Sequence, residues 1–150
     1  MIPLLELSNR QRKRRVDLAE FRAFAEAAIA KVGDFVKPAT LPDELSVAFV
    51  TDKRIAEIHR EFMSIGEPTD VITFQHGEIV MSVETAARQA DKFSTSLARE
   101  LKLYFVHGLL HLAGWDDSTR DGFNNMAGAQ EQIVCEVEAS LHRSQILRDF

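Results

Sequence analysis

Val71-Ile72-Thr73-Phe74-Gln75-His76-Gly77-Glu78-Ile79-Val80-Met81 is the stretch that decides the fold class. Two short runs rich in strand formers, 71–74 and 78–81, flank a three-residue connection ending in glycine, the pattern of a tight antiparallel hairpin. A purely helical bundle has no place for it. On its N-terminal side, Ser64 to Asp70 contains Gly66 and Pro68 and reads as a loop. Before that loop a helix is expected from Thr51 or Asp52 to about Met63. On the other side Ser82 is placed to cap a helix from Val83 to about Lys92.

Further out, Leu45, Val47 and Phe49 alternate with Ser46, Ala48 and Val50 in a second strand, and Pro3 to Leu7 reads as a third. Asp17 is positioned to cap a helix with apolar positions Leu18, Phe21, Phe24, Ala25, Ala28 and Ile29, ending near Gly33. Leu97, Leu101, Tyr104, Phe105, Leu109 and Leu112 keep a helical period as far as Gly114. A last helix is expected from Ser118, with Ser118 and Asp121 in capping-box spacing, to about Leu147, with an irregularity at Gly128. The class is therefore α+β, a small mixed β-sheet covered by helices.

The 150 residues show no internal repeat or Gly/Ser linker, which fits one domain over 1–150. No run approaches the roughly 20 apolar residues of a membrane span, and no secretory signal is indicated, so a cytoplasmic protein without membrane contact is expected. The lone Cys135, in the apolar run Ile133-Val134-Cys135, is expected to be small and buried. The formal charge of −5 is uneven: residues 1–15 carry Arg10, Arg12, Lys13, Arg14 and Arg15 against Glu6, a net of +4, which leaves −9 on the rest. Such a basic segment is either a solvated loop or a phosphate contact.

Five histidines occur, at 59, 76, 107, 111 and 142. His107 and His111 are one helical turn apart, so both rings lie on one face and two imidazoles can bind one metal ion without distorting the helix. Gly114 allows a sharp return, and Asp116 or Asp117 can then supply an oxygen ligand while leaving a position open for water. The competing reading is a pair of half-buried histidines satisfied by backbone or aspartate.

The segment His107-Gly108-Leu109-Leu110-His111-Leu112-Ala113-Gly114-Trp115-Asp116-Asp117 resembles the HGxLHLxGYDH signature of the YbeY endoribonuclease family, bacterial ribosomal RNA maturation factors. Pro68-Thr69-Asp70-Val71 with Phe74, Gly77-Glu78-Ile79-Val80, Ser82-Val83-Glu84-Thr85-Ala86 with Gln89-Ala90, and Met126 with Gln130-Glu131 also fit it. The resemblance spans roughly residues 44–135. It implies a zincin-like metal helix, one Zn2+ held by His107, His111 and Asp117, and a single-strand-preferring endoribonuclease of ribosomal RNA maturation and ribosome quality control. Single-stranded or ribosomal RNA, and ribosome-associated proteins, are the implied partners. Asp117 stands where the family has its third histidine, a harder donor that cancels one charge of the metal. Met63, after Phe62, stands where the family has an arginine, with Arg60 one turn earlier as a replacement or as a simple solvated side chain.

RNA contacts are expected from the Arg10–Arg15 run and from the strand Glu78 to Met81 along a groove, and Glu84 and Asp116 are available as proton acceptors. Two rivals stand beside the nuclease. A metallopeptidase would place a glutamate directly after the first histidine, where this chain has Gly108. A non-catalytic, metal-stabilised ribosome-assembly factor would instead need a closed ligand set.

Overall fold

The computed structural model describes residues 3–34, 41–63 and 69–148; residues 64–68 of the loop expected from Ser64 to Asp70 lie outside them. Strands β1 (Leu4–Asn9), β2 (Glu44–Val50), β3 (Val71–Phe74) and β4 (Glu78–Ser82) form one sheet in the order β1-β2-β4-β3. β1 and β4 both run parallel to β2, with Leu7 opposite Val47 and Ile79 opposite Val47 on its other side. β3 pairs antiparallel with β4, Ile72 opposite Val80, as the hairpin pattern requires. The α+β class, with its small mixed sheet, is what the structure shows.

Among the described residues five helices accompany the sheet: α1 (Leu18–Val32), α2 (Asp52–Met63), α3 (Val83–Phe93), α4 (Leu97–Leu112) and α5 (Arg120–Arg148). Asp17, Ser82 and Ser96 cap α1, α3 and α4, each side chain accepting from the backbone N–H three residues on. The main core lies between α1, α4, α5 and one sheet face, where Phe21 meets Phe49 and Phe105 edge-on at 5.0 and 5.5 Å. On the opposite face Ile55 and Ile58 of α2 cover Ala48, Val50, Ile72 and Val80. β2 is thus buried on both sides, the usual condition of an inner parallel strand.

Several expectations are corrected. β4 is an inner strand buried along most of its length, so Glu78 to Met81 presents no free edge to an RNA groove; β1 and β3 are the edge strands. α5 begins one residue after Thr119, whose hydroxyl accepts from the Gly122 N–H at 2.9 Å; the Ser118 hydroxyl is engaged by Asp116 instead. α5 is continuous through Gly128, where a Cβ would meet nothing within 4 Å. Cys135 is exposed, because the buried stripe of α5 runs through Met126, Ala129, Ile133, Val134 and Val137 and turns residue 135 outward. No helix among the described residues is long and apolar enough to cross a membrane.

Candidate metal centre

α4 approaches the sheet closely at Gly108, where a Cβ would lie 3.0 Å from Ile79 Cδ1 and 3.1 Å from Thr73 Oγ1. With Gly108 against the sheet, residues 107 and 111 lie roughly 100° and 60° round the helix on one common side. Their rings are edge-to-face with centroids 4.6 Å apart, and their Nε2 atoms are 3.0 Å apart. A longer side chain at 108 would be driven into β3 and β4, so the glutamate of a helix-borne peptidase site has no room there.

The chain then turns back. Gly114 adopts φ +98°, a conformation glycine takes without strain. Ala113, Gly114 and Trp115 donate backbone bonds to Leu109, His111 and Leu110, satisfying the last carbonyls of α4. Asp116 and Asp117 follow, and their fates differ. Asp116 spends both carboxylate oxygens on Ser118, accepting from its N–H at 2.9 Å and its hydroxyl at 2.8 Å, and the Ser118 amide first of all holds its pKa below the ordinary carboxylate value. Asp117 Oδ2 faces the histidines, 3.6 Å from His107 Nε2 and 3.5 Å from His111 Nε2. Gly122 permits the turn to pack against the start of α5, since a Cβ there would sit 2.3 Å from the Asp116 carbonyl oxygen.

One ligand atom from each of His107, His111 and Asp117 thus falls within 4.8 Å of the others, a group that could hold a metal ion. The donor set suits one: around a tetrahedral ion with bonds of roughly 2.0–2.1 Å, donors stand roughly 3.3 Å apart. The side chains are 25%, 27% and 35% exposed, so the group opens to solvent on one side. Gln130 of α5 reaches His107 from behind, with its Oε1 3.0 Å from Nδ1. A ring proton on Nδ1 would donate to that amide oxygen and leave the Nε2 lone pair for the donor group.

In the sequence Gln130 stands out only through the family match and as a polar residue set among the buried positions Met126, Ala129, Ile133 and Val134. Glu84 does not join the site. Its Oε1 accepts from the Asp52 N–H at 2.9 Å and so serves the start of α2. Arg60 and Met63 are exposed on α2, which covers the sheet face away from α4. The basic run is an exposed, ordered loop: buried Gln11 accepts from the backbone of Lys13 and Arg14 and donates to the Arg14 carbonyl.

An α+β fold with three candidate donors on one helix and the turn after it defines a class of proteins with a helix-borne group that could hold a metal ion. A family model described as Endoribonuclease YbeY matches residues 6–138. The chain belongs to that family. Among similar proteins, Endoribonuclease YbeY of Moorella thermoacetica is 37% identical over 113 residues, covering 63% of this chain and 72% of that one. The protein of the same name from Heliobacterium modesticaldum is 33% identical over 112 residues, covering 61% and 68%. A solution structure of TM1509 from Thermotoga maritima shares the fold, with a TM-score of 0.62 at 23% identity over 94% of this chain and 93% of that one.

Proposed function

We propose that the chain is a zinc-dependent endoribonuclease that cuts single-stranded RNA during ribosomal RNA maturation and ribosome quality control. The observation that carries this reading is the convergence of His107, His111 and Asp117 in a chain whose similar proteins are named endoribonucleases. His107 and His111 would hold the ion through Nε2 and Asp117 through a carboxylate oxygen, with Gln130 keeping His107 in the ligating tautomer. The chemistry an ion held there would supply is polarisation of a phosphate oxygen and acidification of water. The open side of the group gives an RNA strand access, and the exposed cations from Arg10 to Arg15 would hold phosphates outside an otherwise acidic body. Ribosome-associated proteins would add affinity that so acidic a body lacks.

The test measures zinc stoichiometry and cleavage of a short single-stranded RNA for four proteins. Asp117→Ala is expected to lose both and Asp117→His to keep both. Asp116→Ala, whose side chain is engaged by Ser118, is expected to keep its zinc. Full zinc retention by Asp117→Ala with loss by Asp116→Ala overturns the ligand assignment. RNA cleavage by the wild type that survives complete metal removal overturns the metal-dependent reading.

A further inference from the structure

Beside the metal-binding group lies a cleft of about 470 Å³ that reaches His107 and Asp117 at one end and is bounded by α3, α4 and α5. Phe93, from the last turn of α3, and Phe123, from the first turn of α5, both line it while remaining 60% and 58% exposed. Large aromatic rings held in solvent beside a reactive group are surfaces awaiting a partner. The charge around them narrows its chemistry: Asp70, Glu100 and Asp117 line the cleft, and no lysine or arginine does so among the described residues. A phosphate would be repelled from its interior. A neutral, flat heterocycle would not. Lys92, next in the chain to Phe93 and not part of the cleft lining, holds its ammonium 5.3 Å from the Phe93 ring centroid, a cation available to a backbone phosphate. Tyr104, 7% exposed on the cleft wall, has a hydroxyl without a hydrogen-bond partner among the described residues. Burial, then Asp70 and Glu100, raise its pKa, so it remains an O–H donor.

We infer that this cleft is a base-binding subsite, in which an unpaired nucleobase of the RNA stacks on Phe93 and Phe123 with its backbone running along the rim past Lys92 toward the metal-binding group. The subsite rests on the endoribonuclease reading and deepens it. It makes single-strandedness a requirement of the cleft, because a base paired in a helix cannot offer its face to either ring.

The experiment measures binding of fluorescein-labelled hexa-adenylate, and of an abasic ribose-phosphate hexamer, to the full chain with chelator present so that no strand is cut. Phe93→Ala and Phe123→Ala are each expected to weaken hexa-adenylate binding roughly 5- to 100-fold, while Phe→Trp at either position retains it. Both Ala variants should bind the abasic hexamer as the wild type does. Both side chains are exposed, and circular dichroism checks that the variants fold. Wild-type affinity of the Ala variants for hexa-adenylate, or an equal loss for both hexamers, overturns the stacking proposal, including the case in which the rings serve a protein partner. If the metal-loaded wild type neither binds nor cuts single-stranded RNA, the endoribonuclease reading itself fails and the subsite falls with it. Normal cutting by the wild type with unaltered binding in the variants refutes the subsite alone.

Discussion

Replacing Gly108 with alanine sets two effects of known size against each other. In a helix interior alanine is favoured over glycine by about 1 kcal/mol. Against this, the new Cβ would stand 3.0 and 3.2 Å from Ile79 Cδ1 and Cγ1 and 3.1 Å from Thr73 Oγ1, inside ordinary van der Waals contact at three points. Ile79 is fully buried and Thr73 is β-branched, so neither yields freely. Overpacking of this kind costs about 1–3 kcal/mol. The net expectation is a loss of about 1 kcal/mol, or a fall in Tm of roughly 2–4 °C for a chain of this size. Because both histidines ride on the helix that shifts, metal affinity should fall by less than about tenfold. Urea denaturation of Gly108→Ala, Ile79→Val and the double variant forms a thermodynamic cycle. Shortening Ile79 removes the nearest contact, so the double variant should be more stable than the sum of the single effects by about 0.5–1 kcal/mol. Strict additivity, or a Gly108→Ala protein stabilised by the full helix-propensity gain, refutes the close-approach reasoning.

Gln130→Ala removes the acceptor behind His107 and should weaken zinc binding about 10- to 100-fold with little loss of fold, with Gln130→Glu restoring affinity; unchanged affinity in a zinc competition titration rejects the positioning role. Neutralising Arg10, Arg12, Lys13, Arg14 and Arg15 together should weaken RNA binding and flatten its dependence on salt while leaving the circular dichroism spectrum unaltered. An unchanged salt slope makes the run a solvated loop. Burial raises the pKa of the Asp52 carboxyl, but hydrogen bonds from Arg88, Ser82 and Thr85 outweigh burial and hold it below its ordinary value. A carboxylate depressed in the folded state contributes stability that is present above its unfolded pKa, roughly 3.9, and is lost as pH falls through the folded value. Asp52→Asn should therefore be less stable than the wild type at pH 7 and approach it in acid, measured by urea midpoints; a constant difference across pH contradicts the linkage.

The hairpin, the Asp17 and Ser82 caps and the His107–His111 pairing were legible because each depends on residues close in sequence. A turn glycine, a capping oxygen or a one-turn spacing acts over a few positions. What escaped depends on distant partners. Glu78 to Met81 has strand character in any setting, but only its pairing with both β2 and β3 makes it an inner strand. Ser118 and Thr119 are both good caps, and the competing claim of Asp116 on Ser118 leaves the role to Thr119. Cys135 looked buried because its two predecessors are, yet one helical step carries it past the edge of the stripe. The link from His107 to Gln130 joins two helices, so no local spacing announces it.

The turn at Gly114 has a consequence for how the molecule can change over time. It gathers all three donor atoms into residues 107–117, whereas the sheet joins Leu4 to Glu44 and Ser46 to Glu78. Tying together so short a loop removes little entropy from the unfolded chain, so a bound ion adds stability through mass action rather than by cross-linking remote parts. The ligand set and the scaffold are therefore nearly separable. If the group holds an ion, a substitution in this turn, such as an aspartate for a histidine at position 117, would alter which ion is held and how strongly while leaving the packing of sheet and helices untouched, so that a lineage could explore its metal chemistry without first having to refold.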